Sequence, residues 1–500
     1  MNHFDHPYPR YGLAAVLAYH DISIDGEHPL PSKEDLAKLA AEYISVAMHK
    51  YRLHTQDQPT EDIDCTLQFL YLAFEDLATK KSEGQTSANY YYLAPHVATG
   101  DTSANRLIKE ARKKSEKLGK EKKLDKAVKL KRSFSPFTTK LNEGTKSLSN
   151  PKGTLLQAGF TLVATITPVK PATQIDFSNQ VMIPDLPLED QVEFVRLFDQ
   201  MQSKETGNLL KRELKAGNKN YRPPIYEGNY PGAPSSPIFG PVGLIGAMGQ
   251  WAKRFGEWER TEKILEKLVS RPIYLVSYDS DLFRQVHLGH HLKRLAENFD
   301  LPKVINDLYH AKFYNPEHNK RDNKTRELFF EMASRFLQFY TRSAFKDFIA
   351  FRLEYPHSFS SILEDYFMSE KNIPKDIVQS ARQYGSYLNM VAYIIGKDEA
   401  ENKSTNRDVY EAKANILAQL ESTAMSCKEA TSLFAQLNVQ AGRMSNMDVP
   451  AEASRFIEAT NAGEITLDQA RDLILAYMRL RSENKQVQDS ASPDGTFSTN

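Results

Sequence analysis

The sequence predicts an α+β protein: a mixed first part that contains an antiparallel sheet, followed by an all-α second part. Runs rich in β-branched residues occur at 155–169, 179–183 and 272–278, all in the first part of the chain. Helical periodicity dominates after that point. With 500 residues, the chain exceeds what one hydrophobic core usually serves, so we expect more than one domain.

The order of these patterns suggests where the domains divide. We expect a mixed domain at 1–280 with a basic insertion at 100–150, then a helical connecting region and a helical bundle. The connecting region covers 281–367, the bundle covers 368–483, and a polar tail that we expect to be disordered covers 484–500.

In the mixed part, Ser32 before Lys33 and Glu34 predicts the N-cap of a first amphipathic helix, and a second helix is predicted to begin near Thr60. A short aromatic strand is predicted around Tyr90. The run at 155–169 is predicted to be a long strand that pairs with 179–183, and a helix is predicted at 188–202.

Six glycines and four prolines lie between residues 228 and 249. The segment lacks the Gly-Lys-Ser/Thr ending of a phosphate-binding loop and the strand that precedes a dinucleotide site. It therefore predicts a loop that runs into a helix packed closely through its glycines, rather than a nucleotide site.

The second part shows repeated apolar spacing of helical period. The predicted helices cover 283–299, 328–351, 373–395, 409–420, 427–437, 450–460 and 467–480. Ser426 with Glu429, and Thr466 with Gln469, have the spacing of capping boxes at helix starts.

Composition narrows the class of protein. Cys65 and Cys427 are the only cysteines, which excludes a disulfide framework and zinc sites built on cysteine pairs. We see no secretion signal at the N-terminus and no apolar run of membrane-spanning length, so we expect a cytoplasmic protein. The formal net charge is zero, so contact with a polyanion must be local.

One strongly basic stretch stands out at 106–132, where thirteen residues are Lys or Arg and four are acidic, a net charge of +9. A nucleic acid would relieve this repulsion, because its condensed counterions are released when phosphates are neutralised. The alternative is a solvated insertion. Our candidates here are Lys113, Lys114, Lys120, Lys122, Lys123, Lys129, Lys131 and Arg132.

A second basic segment, 204–222, has a net charge of +4 and interleaves amides with bases. Amides are suited to reading base edges while neighbouring cations hold phosphates. A polar loop is the simpler alternative. The candidate residues are Lys211, Arg212, Lys215, Asn218, Lys219, Asn220 and Arg222.

The helical part is less favourable for nucleic acid. Arg335, Arg342 and Lys346 would fall on one stripe of a continuous helix, for which a solvated face is the default interpretation. Residues 362–483 contain thirteen basic and eighteen acidic residues, so any contact there must come from a patch such as Arg407, Lys413 and Arg443, or the block binds partner helices.

Catalysis has little support. His287, His290 and His291 have helical spacing and follow Asp279 and Asp281, which leaves a metal-dependent nucleic-acid enzyme as the second hypothesis. No further ligand of convincing spacing follows, and no nucleophile elbow or catalytic cysteine signature occurs. We assign no catalytic residue, metal ligand or cofactor. A helical protein-interaction adaptor is the third hypothesis.

Three stretches and the two-part layout resemble a known family, the large subunit of type I CRISPR surveillance complexes (Cascade), in particular the compact I-B-like group, some of it transposon-associated. The stretches are GLAAVLAY at 12–19, NQVMIPDLPLED at 179–190 and ARQYGSYLNMVAY at 381–393. Some relatives carry paired zinc-binding cysteines, which this chain lacks.

The resemblance implies a subunit without enzymatic activity that serves antiviral defence or RNA-guided transposition. It implies a mixed domain that sits at the 5′ end of the guide RNA and reads the protospacer-adjacent motif, and a helical part that lines the displaced strand of the R-loop. The implied partners are guide RNA, double-stranded target DNA, the backbone and guide-processing subunits, and a transposition adaptor or helicase-nuclease. Base pairing would then read the sequence. A separate small subunit could start at Met368.

Overall fold

The structure, a computed structural model, describes most of the chain and divides it into two compact units, residues 1–302 and 303–500. The described residues are 6–24, 29–49, 54–55, 90–91, 104–120, 123–129, 152–175, 178–209, 228–230, 232–234, 237–277, 283–309, 323–400 and 406–481. Helices dominate and the sheets are small and antiparallel, so the predicted α+β class is confirmed.

The first unit contains eight α-helices, a 3₁₀ helix at Pro237–Phe239 and eight strands within its described residues, together with the start of a ninth α-helix. The helices are α1 Pro7–Tyr19, α2 Lys33–His49, α3 Ala104–Lys120, α4 Leu155–Ile166, α5 Leu188–Leu209, α6 Gly240–Phe255, α7 Trp258–Ser270 and α8 His291–Asn298, and α9 is Leu301–Tyr309. The strands are β1 His54–Thr55, β2 Tyr90–Tyr91, β3 Ala127–Lys129, β4 Lys152–Thr154, β5 Ala172–Ile175, β6 Ser178–Pro184, β7 Ile273–Ser277 and β8 Phe283–Val286.

Helices α1 and α4 form the centre of the first unit. Gly12 in α1 lies so close to α4 that a Cβ atom there would approach the Phe160 carbonyl oxygen to 1.9 Å. Only glycine allows this approach of two backbones. The hydroxyl of Tyr8 lies 3.0 Å from Thr165 Oγ1, which joins the two helices again through a buried polar contact.

The prediction that 155–169 is a strand is wrong, because residues Leu155–Ile166 form α4. Thr154 and Gln157 form a capping box at its start, and Thr161 and Thr165 donate hydrogen bonds back to the carbonyl oxygens of Gln157 and Thr161. The helix is buried on nearly every side, so its apolar run carries no 3.6-residue period. A buried helix and a buried strand look alike in such a run.

The main sheet has the order β5-β6-β7-β8, all antiparallel. The predicted strands at 179–183 and 272–278 are confirmed, and they pair with each other through Ile183 opposite Tyr274. The predicted helix at 283–299 is wrong in its first half, because β8 occupies that half and α8 begins only at His291.

The glycine-rich segment runs into α6, as predicted, and its glycines face close neighbours. A Cβ atom on Gly246 would lie 2.7 Å from Leu301 Cβ, and one on Gly249 would lie 2.4 Å from the Ala296 carbonyl oxygen. These glycines therefore serve packing of α6 against α8 and the start of α9.

The second unit contains only helices, a π-helical turn and one isolated bridge among its described residues. After the end of α9, the helices are α10 Asn323–Phe339, α11 Arg342–Ile349, α12 Ser360–Asp365, α13 Lys375–Ala400, α14 Asn406–Ser426, α15 Ala430–Ser445, α16 Ser454–Asn461 and α17 Leu467–Tyr477. A buried aromatic cluster that includes Phe336, Phe348 and Tyr366 forms much of its core.

Two sequence predictions for this unit need correction. The single helix at 328–351 is two helices, because Tyr340 adopts a φ of 46° and Thr341 caps α11. The capping box at Thr466 and Gln469 is confirmed, whereas Ser426 lies at the end of α14 and donates its hydroxyl to the Thr423 carbonyl oxygen.

The predicted helix near Thr60 and the predicted polar tail at 484–500 lie outside the described residues. The predicted cap is confirmed, since Ser32 Oγ accepts a hydrogen bond from the Asp35 amide at 3.2 Å. Within the described part, no helix has the length and apolar character that crossing a membrane requires.

Candidate nucleic-acid interface

The basic stretch folds in part as α3, which is amphipathic. In its second half, Ala111 and Leu118 are buried, while Lys113, Lys117 and Lys120 are exposed. Alanine, leucine, lysine and glutamate all favour helix. Residues Ala104–Lys120 of the basic region therefore form a helix with one buried and one solvated face.

Helix α3 is held to the first unit through its buried face. Leu118 packs on Gly159 of α4 so closely that a Cβ atom there would lie 2.6 Å from Leu118 Cδ1. Ser115 donates its hydroxyl to the Ala41 carbonyl oxygen of α2 at 2.9 Å. The buried face therefore anchors α3 to the first unit, and the opposite face is exposed to solvent.

We call Lys113, Lys117 and Lys120 the lysine stripe. They follow a spacing of four and then three residues, which places them on one face of the helix, along about 10 Å of its axis. None of the three side chains makes a hydrogen bond or an ion pair with any residue that the structure describes. Glu116 is the one acidic residue at 111–120, so the face keeps a net positive charge.

The turn after α3 extends this basic region. Lys123 is exposed, and its backbone carbonyl accepts a hydrogen bond from the Lys126 amide. Asp125 pairs with Lys33 of α2 at 2.9 Å. These residues line a surface depression of about 380 Å³. Because both members of the Lys33 pair are largely exposed, the pair itself contributes little to stability.

The structure describes only some of the remaining candidates in the two basic segments. Lys114 lies half-buried on the flank of α3, and Lys129 belongs to β3. The structure does not describe Lys122, Lys131, Arg132, or the segment with Lys211, Arg212, Lys215, Asn218, Lys219, Asn220 and Arg222. Lys117 was missed, although its spacing of four from Lys113 could have identified it.

The predicted single stripe of Arg335, Arg342 and Lys346 is wrong, because the break at Tyr340 puts Arg335 on α10 and the other two on α11. Arg335 Nη1 lies 3.4 Å from Asp347, and Arg342 Nη2 lies 2.8 Å from Asp468. These two arginines are already paired with carboxylates.

Lys413, proposed from sequence as part of a surface patch, is also placed differently. Its side chain is buried, pairs with Glu354 and lies 2.9 Å from Asn389 Oδ1. Arg443 is exposed at the end of α15. A patch that includes Lys413 is therefore wrong, because an interior ammonium paired with a carboxylate is not available to phosphates.

The histidines do not share one helix face. His287 follows β8, His290 precedes α8, and His291 is the first residue of α8 and is buried. Asp279 and Asp281 lie outside the described residues. Across the described ranges, no group of three or more His, Cys, Asp and Glu side chains has a metal-binding arrangement.

The first unit has helices around a small antiparallel sheet, and the second unit is helical. With a lysine stripe that has no carboxylate partner among the described residues, this is a mostly helical α+β protein with a candidate nucleic-acid interface. The sequence matches the family model described as CRISPR-associated protein Csp2 over residues 6–481. The chain belongs to this family.

It is therefore a type I CRISPR-associated protein, a large subunit of the Cascade type that works with other Cascade subunits, as the resemblance implied at this level. Neither a curated protein nor a solved structure matches the chain.

Proposed function

We propose that this large subunit binds the guide RNA and the double-stranded target DNA, reads the protospacer-adjacent motif and stabilises the R-loop, without catalysing a reaction. In this role, base pairing with the guide selects the sequence, and the protein supplies motif reading and contacts to the nucleic-acid backbone. The proposal places the chain in the cytoplasm, in an I-B-like effector complex that acts in defence or in RNA-guided transposition.

The lysine stripe is the observation that supports this proposal best. The three ammonium groups have no carboxylate partner among the residues that the structure describes. Such groups gain more from phosphates than paired ones do, because no ion pair must be broken first and counterions are released on binding. Because α3 is already anchored through its buried face, less conformational entropy is lost when its lysines bind phosphates. We propose that the stripe contacts the phosphate backbone, together with Lys123 and the other basic residues of 106–132.

Lysines of this kind position a nucleic acid but carry little sequence information. We therefore propose that motif reading depends on the segment at 211–222, whose amides can bond base edges. We also propose that the helical bundle at 368–483 lines the displaced strand, that a free small subunit starts at Met368, and that a helicase-nuclease or transposition adaptor is recruited.

A charge-reversal variant tests the main proposal. The full chain with Lys113→Glu, Lys117→Glu and Lys120→Glu should bind a labelled duplex at least about tenfold more weakly than wild type, because three phosphate contacts become repulsive. Fluorescence anisotropy in low and physiological salt measures this, and circular dichroism checks that the fold is kept.

The matched control reverses three lysines that are already paired. Lys38 lies 3.6 Å from Asp35, Lys263 lies 3.3 Å from Glu259, and Lys267 lies 3.5 Å from Asp190. Their triple change to Glu alters the net charge equally but should weaken binding much less. Equal weakening in both variants would mean that only total charge matters and would contradict a site on α3.

A further inference from the structure

The second unit holds a mixed charge cluster built by three separate segments. Arg342, the first residue of α11, lies with Nη2 2.8 Å from Asp468 Oδ2 and with Nε 3.5 Å from Asp472 Oδ2, both on α17. Lys346 lies one turn further along α11, and Lys371 follows the π-helical turn Tyr366–Glu370. We call Arg342, Lys346, Lys371, Asp468 and Asp472 the Arg342 cluster.

Its three cations face the same carboxylate. Arg342, Lys346 and Lys371 all act electrostatically on Asp472, yet neither lysine forms an ion pair with any carboxylate of the described chain. Arg342 is also the first residue of α11, where the helix dipole disfavours cations and favours anions, whereas Lys346 lies in the last turn of that helix. The cluster therefore attracts an anion from several directions.

A buried hydroxyl beneath the cluster is a second sign of a missing anionic oxygen. Tyr366 is fully buried, and its hydroxyl has no hydrogen-bond partner among the described residues. Its charged neighbours are Asp472, Arg342 and Glu370, and the Lys371 ammonium lies 5.2 Å from its ring. An unsatisfied buried hydroxyl costs free energy that an acceptor would remove.

The two carboxylates are suited to being displaced. Burial raises the pKa of Asp472, which means that its charged form is costly where it stands, although Arg342 offsets part of this. Asp468 is also bound by Arg471 at 3.1 Å, so it keeps a partner when Arg342 turns away. Arg342 and Asp468 are both about half exposed, so the exchange requires little unfolding.

We propose that the Arg342 cluster is a phosphate-binding site that Asp468 and Asp472 occupy in the free protein, and that a phosphodiester of bound nucleic acid displaces them from Arg342. The inference rests on the proposed function, since it assumes that the chain binds nucleic acid. It adds a second contact, on the helical unit, that the free protein holds closed by its own acidic side chains.

A double-mutant cycle on the full chain tests the site. Anisotropy with a labelled single strand and a labelled duplex should show that Asp468→Asn tightens binding about two- to fivefold, as expected when an exposed ion pair no longer competes. Arg342→Ala should weaken binding several-fold. In the double variant the gain from Asp468→Asn should disappear, because the cation it released is gone.

The control is Asp376→Asn, which removes the same charge from the same unit, while Arg455, 2.7 Å from Asp376, keeps its second partner Glu464. It should change affinity by less than Asp468→Asn does. An equal gain, or a gain from Asp468→Asn that persists in the Arg342→Ala background, would overturn the site but not the proposed function. A wild-type chain that binds neither probe would overturn both.

Discussion

The lysine stripe of α3 and the paired cations of the second unit differ in what surrounds them. On α3, the lysine stripe faces solvent without a partner in the described part of the chain. In the second unit, Arg455 pairs with Asp376 and Glu464, Arg479 with Glu421, and Lys413 with Glu354. The difference teaches that the number of cations in a sequence does not measure the charge that a polyanion can reach.

The largest effect that we expect concerns the interior pairs. Lys413→Ala should lower the free energy of unfolding by about 3–5 kcal/mol, because the Glu354 carboxylate, 12% exposed, loses its nearer cation while Arg481 stays 3.9 Å away. Chemical denaturation measures this, with exposed Lys428→Ala as a control within about 0.5 kcal/mol of wild type. A cost near zero for Lys413→Ala would mean that the interior pair of Lys413 and Glu354 has no structural role that the lysine stripe lacks.

The next largest effect concerns Leu118, which anchors the helix that carries the lysine stripe. Leu118→Ala should cost about 2–5 kcal/mol, since a buried side chain that packs on Gly159 is lost, and it should weaken duplex binding although no charge changes. Hydrogen exchange of α3 and anisotropy measure the two effects. Gly119→Ala, with open space around its Cβ position, is the control: it should stabilise α3 by at most about 1 kcal/mol and leave duplex binding nearly unchanged. Unchanged duplex binding by a destabilised Leu118→Ala protein would show that the lysine stripe binds without firm anchoring of α3.

Lys170 occupies a third environment, the interior of the first unit. Lys170 is fully buried and donates to the carbonyl oxygens of Ala164 and Thr165 at the end of α4, and burial lowers its pKa well below 10.5. Between the lowered pKa of the folded state and 10.5, the unfolded chain binds the extra proton. The free energy of unfolding should therefore rise with pH in that window, by at most about 1.4 kcal/mol per pH unit.

Denaturation at several pH values between 7 and 10 measures this slope. Lys170→Met should flatten the slope relative to wild type, whereas Lys263→Met, which changes an exposed lysine, should not. Parallel slopes for wild type and Lys170→Met would contradict the assignment of a buried amine with a lowered pKa.

The smallest effect that we expect distinguishes the two predicted capping boxes, of which the structure confirms the one at Thr466 and not the one at Ser426. Thr466→Ala should cost about 1 kcal/mol, because the Thr466 hydroxyl accepts from the Gln469 amide at 3.2 Å. Ser426→Ala should cost less, since Ser426 ends α14 and caps no helix start. Equal costs would mean that the helix boundary at 426–430 is misplaced.

The elements that could be predicted are those with a clear period or punctuation. The amphipathic helix after Ser32, the strands β6 and β7, and the glycine-packed α6 follow directly from sequence. Helix α4 could not be recognised, since burial on all sides removes its period. The break at Tyr340 could not be recognised either, because a left-handed residue without glycine leaves no signal.

The candidate site divides in the same way. The charge run located α3, and helical spacing could have selected Lys113, Lys117 and Lys120 within it. Sequence could not tell that Arg342 and Lys413 meet Asp468 and Glu354, because these partners are distant along the chain. Long-range pairing is a property of the fold, and it decides which cations remain available.

The salt dependence of duplex binding tests the central claim most directly. Each phosphate contact contributes about 0.9 to the slope of log K against log salt for duplex DNA. Replacing Lys113, Lys117 and Lys120 by Ala should therefore reduce the slope by about 2 to 3, whereas Ala at the paired Lys38, Lys263 and Lys267 should leave it nearly unchanged. A stripe variant with the wild-type slope would contradict the claim that these lysines hold phosphates.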